Sequence, residues 1–122
     1  MTLRTVRLGL IGEDLACQEL ERLGYAVLAR RYRRRGGEID IIARDGDTLV
    51  FVEVKTRDGG RFGTGAEAVT QLKRRRLVGT ALDYLARHRA VECPCRFDVV
   101  SVHLGERGPD IEVFQNAFSV AE

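Results

Sequence analysis

Residues 37–57 read Gly-Glu-Ile-Asp-Ile-Ile-Ala-Arg-Asp-Gly-Asp-Thr-Leu-Val-Phe-Val-Glu-Val-Lys-Thr-Arg. Glu38–Ala43 and Leu49–Thr56 are rich in Ile and Val and read as two strands. Arg44-Asp45-Gly46-Asp47 between them is a hairpin turn, because Asp-Gly suits a tight type I′ connection. A four-residue turn sets Ile42 opposite Leu49, Asp40 opposite Phe51 and Glu38 opposite Glu53. Side chains alternate faces, so Glu38, Asp40, Glu53 and Lys55 share one side of the hairpin. In that register Asp40 and Glu53 are diagonal neighbours, roughly 7–8 Å apart at Cα.

Leu49 and Phe51 lie on the same face, so it is at least partly covered. Unpaired carboxylates there are costly to desolvate, and Lys55 neutralises only one of them. A divalent cation that prefers oxygen ligands, such as magnesium, resolves the imbalance. A salt-bridge network on an exposed face is the competing reading, and the pattern alone leaves both open.

Before the hairpin, Gly9–Leu23 reads as a helix stopped by Gly24, with Ala16, Leu20 and Leu23 as its buried stripe. Glu13 precedes Ala16 by three residues and points the same way. Tyr25–Leu28 forms a short strand before an arginine cluster, and Gly36-Gly37 breaks the chain. The glycine-rich segment from Asp58 to Gly65 reads as a loop. Thr64-Gly65-Ala66-Glu67 matches a capping box and opens a long helix to about Arg89. Val69, Leu72, Val78, Ala81, Leu82 and Leu85 form its apolar face. Arg96–Leu104 and Ile111–Gln115 are further strands, the last antiparallel to its predecessor. This order predicts an α/β fold, a central mixed β-sheet flanked by helices.

A chain of 122 residues is expected to form a single domain, 1–122. Its 44% hydrophobic and 31% charged residues are ordinary for a soluble globular protein. No apolar run of about eighteen residues would span a membrane, and the N-terminus lacks a secretory signal pattern. The expected location is the cytoplasm. Cys93-Pro94-Cys95 has one residue between its thiols, a poor spacing for structural zinc, so Cys17, Cys93 and Cys95 read as free thiols. Net charge is +2, too small for a whole-molecule field, but its distribution is uneven. Arg30, Arg31, Arg33, Arg34 and Arg35 crowd around Tyr32, and Lys73, Arg74, Arg75 and Arg76 form a second run. Such clusters grip a phosphate backbone or serve as a solvated face.

Glu13 in the first helix, Gly-Glu-Ile-Asp at 37–40 and Phe-Val-Glu-Val-Lys-Thr-Arg at 51–57 together resemble the YraN-type (UPF0102) family of predicted endonucleases. The resemblance continues through Phe62-Gly63, the Lys73 helix, Arg96-Phe97-Asp98-Val99-Val100 and Asn116-Ala117-Phe118, and so covers nearly the whole chain. That family is similar to the restriction-endonuclease-like superfamily, whose signature is Asp followed by Glu-x-Lys on the next strand; archaeal Holliday-junction resolvases share it. One departure is Arg31, where the resemblance leads one to expect asparagine.

The resemblance implies a metal-dependent endonuclease hydrolysing phosphodiester bonds in DNA, branched or otherwise structured DNA among its substrates, with RNA left open. It implies catalytic roles for Glu13, Asp40, Glu53 and Lys55. Asp40, Glu53 and the Val54 backbone carbonyl would hold Mg²⁺ or Mn²⁺, with Glu13 completing or orienting the site, while Lys55 steers the attacking water. Arg33, Arg34, Arg35, Arg57, Gln71, Lys73 and Arg74 are the candidate nucleic-acid contacts. Resolvase-type action would require a homodimer. The rival readings are a non-catalytic nucleic-acid-binding module of the same fold and a protein-interaction partner in DNA processing.

Overall fold

Thr48–Asp58 is the strand around which everything else is arranged, and Leu49–Glu53 within it is buried on both faces. A computed structural model describes residues 2–58 and 70–118. In chain order the elements are α1 (Leu3–Arg22), β1 (Ala26–Arg34), β2 (Gly37–Asp45), β3 (Thr48–Asp58), α2 (Gln71–Arg87), β4 (Cys95–Gly105) and β5 (Gly108–Phe118). The strands form one sheet in the order β1-β2-β3-β4-β5. Neighbours are antiparallel except β3 and β4, which run parallel from Leu49↔Cys95 to Asp58↔Leu104. A parallel pair needs a crossover, and α2 lies within it. The expected mixed sheet with flanking helices is the fold observed.

The helices cover opposite faces. Leu77, Ala81, Tyr84 and Leu85 of α2 pack on Ile39, Ile42, Phe51, Phe97 and Val99. Ala16, Cys17 and Leu20 of α1 pack on Ile41, Val50, Val52, Val100 and Val102. Burying a side chain such as Phe51, 1% exposed, contributes roughly 1.5–3 kcal/mol. Ile39 and Ile42 share a face while Ile41 faces the other way, so the alternation of β2 is broken at Asp40.

The hairpin register differs from the expected one. Asp45 pairs with Thr48 and Ile42 with Phe51, leaving Gly46-Asp47 as a two-residue turn. Gly46 has φ +61 and Asp47 a negative φ, the pattern of type II′ rather than I′. The slip is two residues, an even number, so Ile42, Leu49 and Phe51 keep their expected common face, but the break at Asp40 puts Ile39 on that face in place of the expected Glu38.

Four other boundaries change. α1 starts at Leu3, capped by the Thr2 hydroxyl, which accepts the Thr5 N–H at 3.1 Å; Leu23 lies past its end and is 44% exposed. β1 carries the arginine cluster as far as Arg34 instead of stopping at Leu28, because it pairs with β2 down to Arg34↔Gly37. α2 begins at Gln71 with Thr70 as its cap; Thr64-Gly65-Ala66-Glu67 and Val69 lie outside the described residues. Its buried face is Leu77, Thr80, Ala81, Tyr84 and Leu85, while Leu72 and Leu82 are exposed. β5 extends to Phe118, past the expected Gln115, bending at Asn116, which has φ +53.

Asp98, fully buried, organises one end of the sheet. It accepts from Arg96 Nε at 3.0 Å, the Asn116 N–H at 2.9 Å and the Tyr25 hydroxyl at 3.3 Å. Arg96 also reaches Asp45 at 3.0 Å. A buried carboxylate with this many donors ties β1, β2, β4 and β5 together, a structural task. Tyr32 is likewise packed, edge-on to Tyr84 at 5.2 Å and donating to Asp83 at 2.8 Å.

Candidate active site

β2 and β3 part company after the Ile41↔Val52 pair, while β3 continues along β4. In the opening between them the Asp40 carboxylate replaces the missing ladder partner, accepting the Val54 N–H at 2.8 Å. Glu53 is 5% exposed and hydrogen-bonded to Asp40. Two carboxylates in such contact must share a proton or a cation. Burial, the Glu53 hydrogen bond and the Glu53 charge push Asp40 up to about 8, so in the metal-free protein it carries the proton and donates to Glu53. Burial opposes ionisation of Glu53, but hydrogen bonds from Asp40 and Lys73 and the charges of Lys73 and Lys55 outweigh it, holding Glu53 below the usual range.

Lys55 Nζ lies 3.4 Å from Glu53 Oε2, and Lys73 Nζ contacts the same oxygen. The expected grouping of Asp40, Glu53 and Lys55 is therefore present. Burial and the neighbouring Lys73 push Lys55 down, whereas Lys73 is raised overall because its gain from Glu53 exceeds the cost of its burial. Lys73, by sequence a candidate nucleic-acid contact, reaches into this cluster from the first turn of α2. Helical spacing signalled nothing of the kind, because the rotation of α2 is set by Leu77 and Tyr84 packing on the sheet.

Glu13 is buried, as its place on the stripe implied, yet its partners are arginines. Arg30 Nε and Arg31 Nε donate to its Oε1 at 2.9 and 3.0 Å. It sits on the α1 side of the sheet, and its charge is felt at Asp40. Arg31 holds this position from φ +53, a conformation asparagine tolerates better than arginine, which accounts physically for the asparagine expected there. Glu38 pairs with Arg33 at 2.8 Å.

Two hollows meet at Asp40. One of about 770 Å³, on the α2 side, is bounded by Gly37, Glu53, Val54, Lys73 and Arg76; one of about 590 Å³, on the α1 side, includes Glu13, Arg31 and Thr56. Asp40 and Val54 line both, so the gap between β2 and β3 opens to either face. Among the described residues no three His, Cys, Asp or Glu side chains converge as a ready-made metal shell. The donor set nonetheless fits a hard divalent ion. Two carboxylates now joined by a proton, beside a main-chain carbonyl, offer oxygen ligands with room for water, as magnesium prefers.

The other candidate contacts are dispersed. Arg33 and Arg35 are exposed on the β1–β2 hairpin, Arg34 pairs with Asp83, and Gln71 is exposed at the start of α2. Arg74 lies over the Phe118 ring at 5.3 Å, and Arg57 is half-buried near the end of β3.

Fold and site define a mixed α/β domain that holds an aspartate and a Glu-x-Lys motif on adjacent strands at one cleft. The chain belongs to the uncharacterised protein family UPF0102, which matches residues 12–102. It is 49% identical to a UPF0102 protein of Geobacter metallireducens over 121 residues, covering 99% of both chains. It is 53% identical to one of Symbiobacterium thermophilum over 116 residues, covering 92% of this chain and 96% of the relative. A UPF0102 protein of Roseiflexus castenholzii is 45% identical over 123 residues, covering 100% and 99%. No helix among the described residues is long and apolar enough to cross a membrane.

Proposed function

We propose that this protein is a metal-dependent endonuclease that hydrolyses phosphodiester bonds in DNA, structured or branched DNA included. The observation that carries the reading is the grouping of Asp40 and Glu53, with Lys55 beside Glu53, at a cleft open to the surface. Asp40, Glu53 and the Val54 carbonyl would hold Mg²⁺ or Mn²⁺, and Glu13 would orient the site from the α1 side. When bound, the ion supplies neutralisation of phosphate charge and activation of a water. The Val54 N–H fixes Asp40, so its carboxylate needs little reorganisation. Lys55 brings a point charge on a flexible stem, suited to a phosphate oxygen or the attacking water.

The test is cleavage of labelled duplex, single-stranded and branched DNA by the full chain with Mn²⁺. Asp40→Asn, Glu53→Gln and Lys55→Ala should each lower the rate by on the order of a hundredfold or more while still binding DNA in Ca²⁺. Wild-type protein that cuts no DNA or RNA form with Mg²⁺ or Mn²⁺ would sink the proposal. One observation favours the second reading, a non-catalytic nucleic-acid-binding module. The chain already balances its own carboxylates, Glu53 with two ammonium groups and Glu13 with two guanidinium groups. Salt-sensitive binding without cleavage would select it.

A further inference from the structure

Beside the larger hollow, and sharing Gly36 and Arg76 with it, lies another of about 400 Å³ between the β1–β2 turn and α2. Arg34, Arg35, Arg76 and Arg87 line it with a single carboxylate, Asp83. Asp83 binds Arg34 Nε at 2.5 Å and Arg87 Nε at 3.1 Å, so it holds two guanidinium groups from opposite walls. Arg35 and Arg76 have no acidic partner among the described residues, and both are exposed. The hollow therefore keeps a positive charge that its own carboxylate does not cancel.

Gly79 supplies an independent clue. It lies inside α2, where glycine costs about 1 kcal/mol relative to alanine. A Cβ there would meet nothing within 4 Å, so packing does not require glycine. Gly37 is different: a Cβ there would overlap the Thr80 hydroxyl. The missing side chain of Gly79 leaves the helix wall of the hollow bare, which lets a backbone approach between the arginines.

Resting on the nucleic-acid reading above, we propose that this hollow is a phosphodiester subsite. It takes phosphates of the DNA strand that flank the one presented to Asp40 and Glu53. Arg35 and Arg76 supply the guanidinium contacts, Asp83 pre-orients Arg34 and Arg87, and Gly79 gives clearance. Guanidinium forks match phosphate oxygens, and their contacts carry no sequence information.

The experiment is fluorescence anisotropy of a labelled DNA duplex with a single-stranded arm, using the full chain in EDTA over a salt series. Arg35→Ala and Arg76→Ala should each weaken binding severalfold and flatten the salt slope by about one counterion. Gly79→Leu should also weaken binding while melting no lower than wild type, because leucine is the better helix former. Arg107→Ala, in the β4–β5 turn, removes equal charge elsewhere and should leave affinity unchanged. Wild-type affinity and slope in the three groove variants would overturn the subsite, as would an equal loss in Arg107→Ala or no binding by wild type. Because EDTA excludes cleavage, loss of the subsite with cleavage intact leaves the nuclease reading standing. Groove-dependent binding without cleavage in Mn²⁺ does the reverse.

Discussion

Asp40 holds a proton near neutrality that an ordinary aspartate would have released, and this has a measurable consequence for stability. Its folded value of about 8 stands above the ordinary 3.8. A raised carboxyl favours the folded state while protonated, so its contribution is complete below about pH 4 and lost as pH rises through 8. Glu53, held below its ordinary 4.5, acts in the opposite sense and loses its contribution on acidification. The metal-free protein should therefore lose melting temperature between about pH 5 and 8, and Asp40→Asn should flatten that slope. An unchanged slope in Asp40→Asn would show that the proton resides elsewhere. The acidic and basic residues of the cluster were legible as a short motif. Their sharing of a proton was not, because it depends on how far β2 and β3 separate.

The elements hold these side chains at close contacts made with glycine. A Cβ at Gly12 of α1 would overlap the Thr56 hydroxyl of β3, and Gly12 directly precedes Glu13. Alanine is the better helix residue by about 1 kcal/mol, yet a clash against a central strand costs about 1–3 kcal/mol. Gly12→Ala should thus be net destabilising in urea denaturation, whereas Gly9→Ala, with nothing within 4 Å, should be neutral or stabilising. Equal effects at the two positions would mean that α1 does not press on Thr56. Strand identities were readable from Ile and Val runs, and α1 from its stripe. Asp45-Gly46-Asp47 offers glycine to either central position of a turn, and strand pairing beyond the turn chose between them. The face of α2 was misread because Leu72 and Leu82 satisfy helical spacing as well as Leu77 and Tyr84 do.

For the molecule as a whole, metal binding and folding are linked if Asp40 and Glu53 are ligands. A cation bound only by the folded chain, at a hundred times its dissociation constant, stabilises by about 2.7 kcal/mol. Mn²⁺ should raise the melting temperature by several degrees at such saturation, and Asp40→Asn should abolish the rise. No shift in wild type would remove the ligand assignment, whatever the fate of the DNA-binding surfaces. The Asp98 network lies on the same sheet but outside this linkage, tying strand ends together through Arg96 and Asn116. The arginine cluster is divided by the fold: Arg30 and Arg31 serve Glu13, Arg33 serves Glu38, and Arg34 and Arg35 turn toward α2.

Alternation, turn residues and helical spacing are local rules, and they suffice for the α/β class, for the hairpin and for the shared face of Glu53 and Lys55. The faces of β3 survive a two-residue slip because the pleat repeats every two residues, whereas β2 loses its alternation at Asp40. Distances across the sheet and between helix and sheet have no local signature. They arise when cores on both faces settle around β3, turning Lys73 inward, burying Glu13 against Arg30 and Arg31, and separating β2 from β3 at Asp40. The motif was thus present in the chain, while its electrostatics came from packing, since burial and long-range neighbours set the energy of each charge.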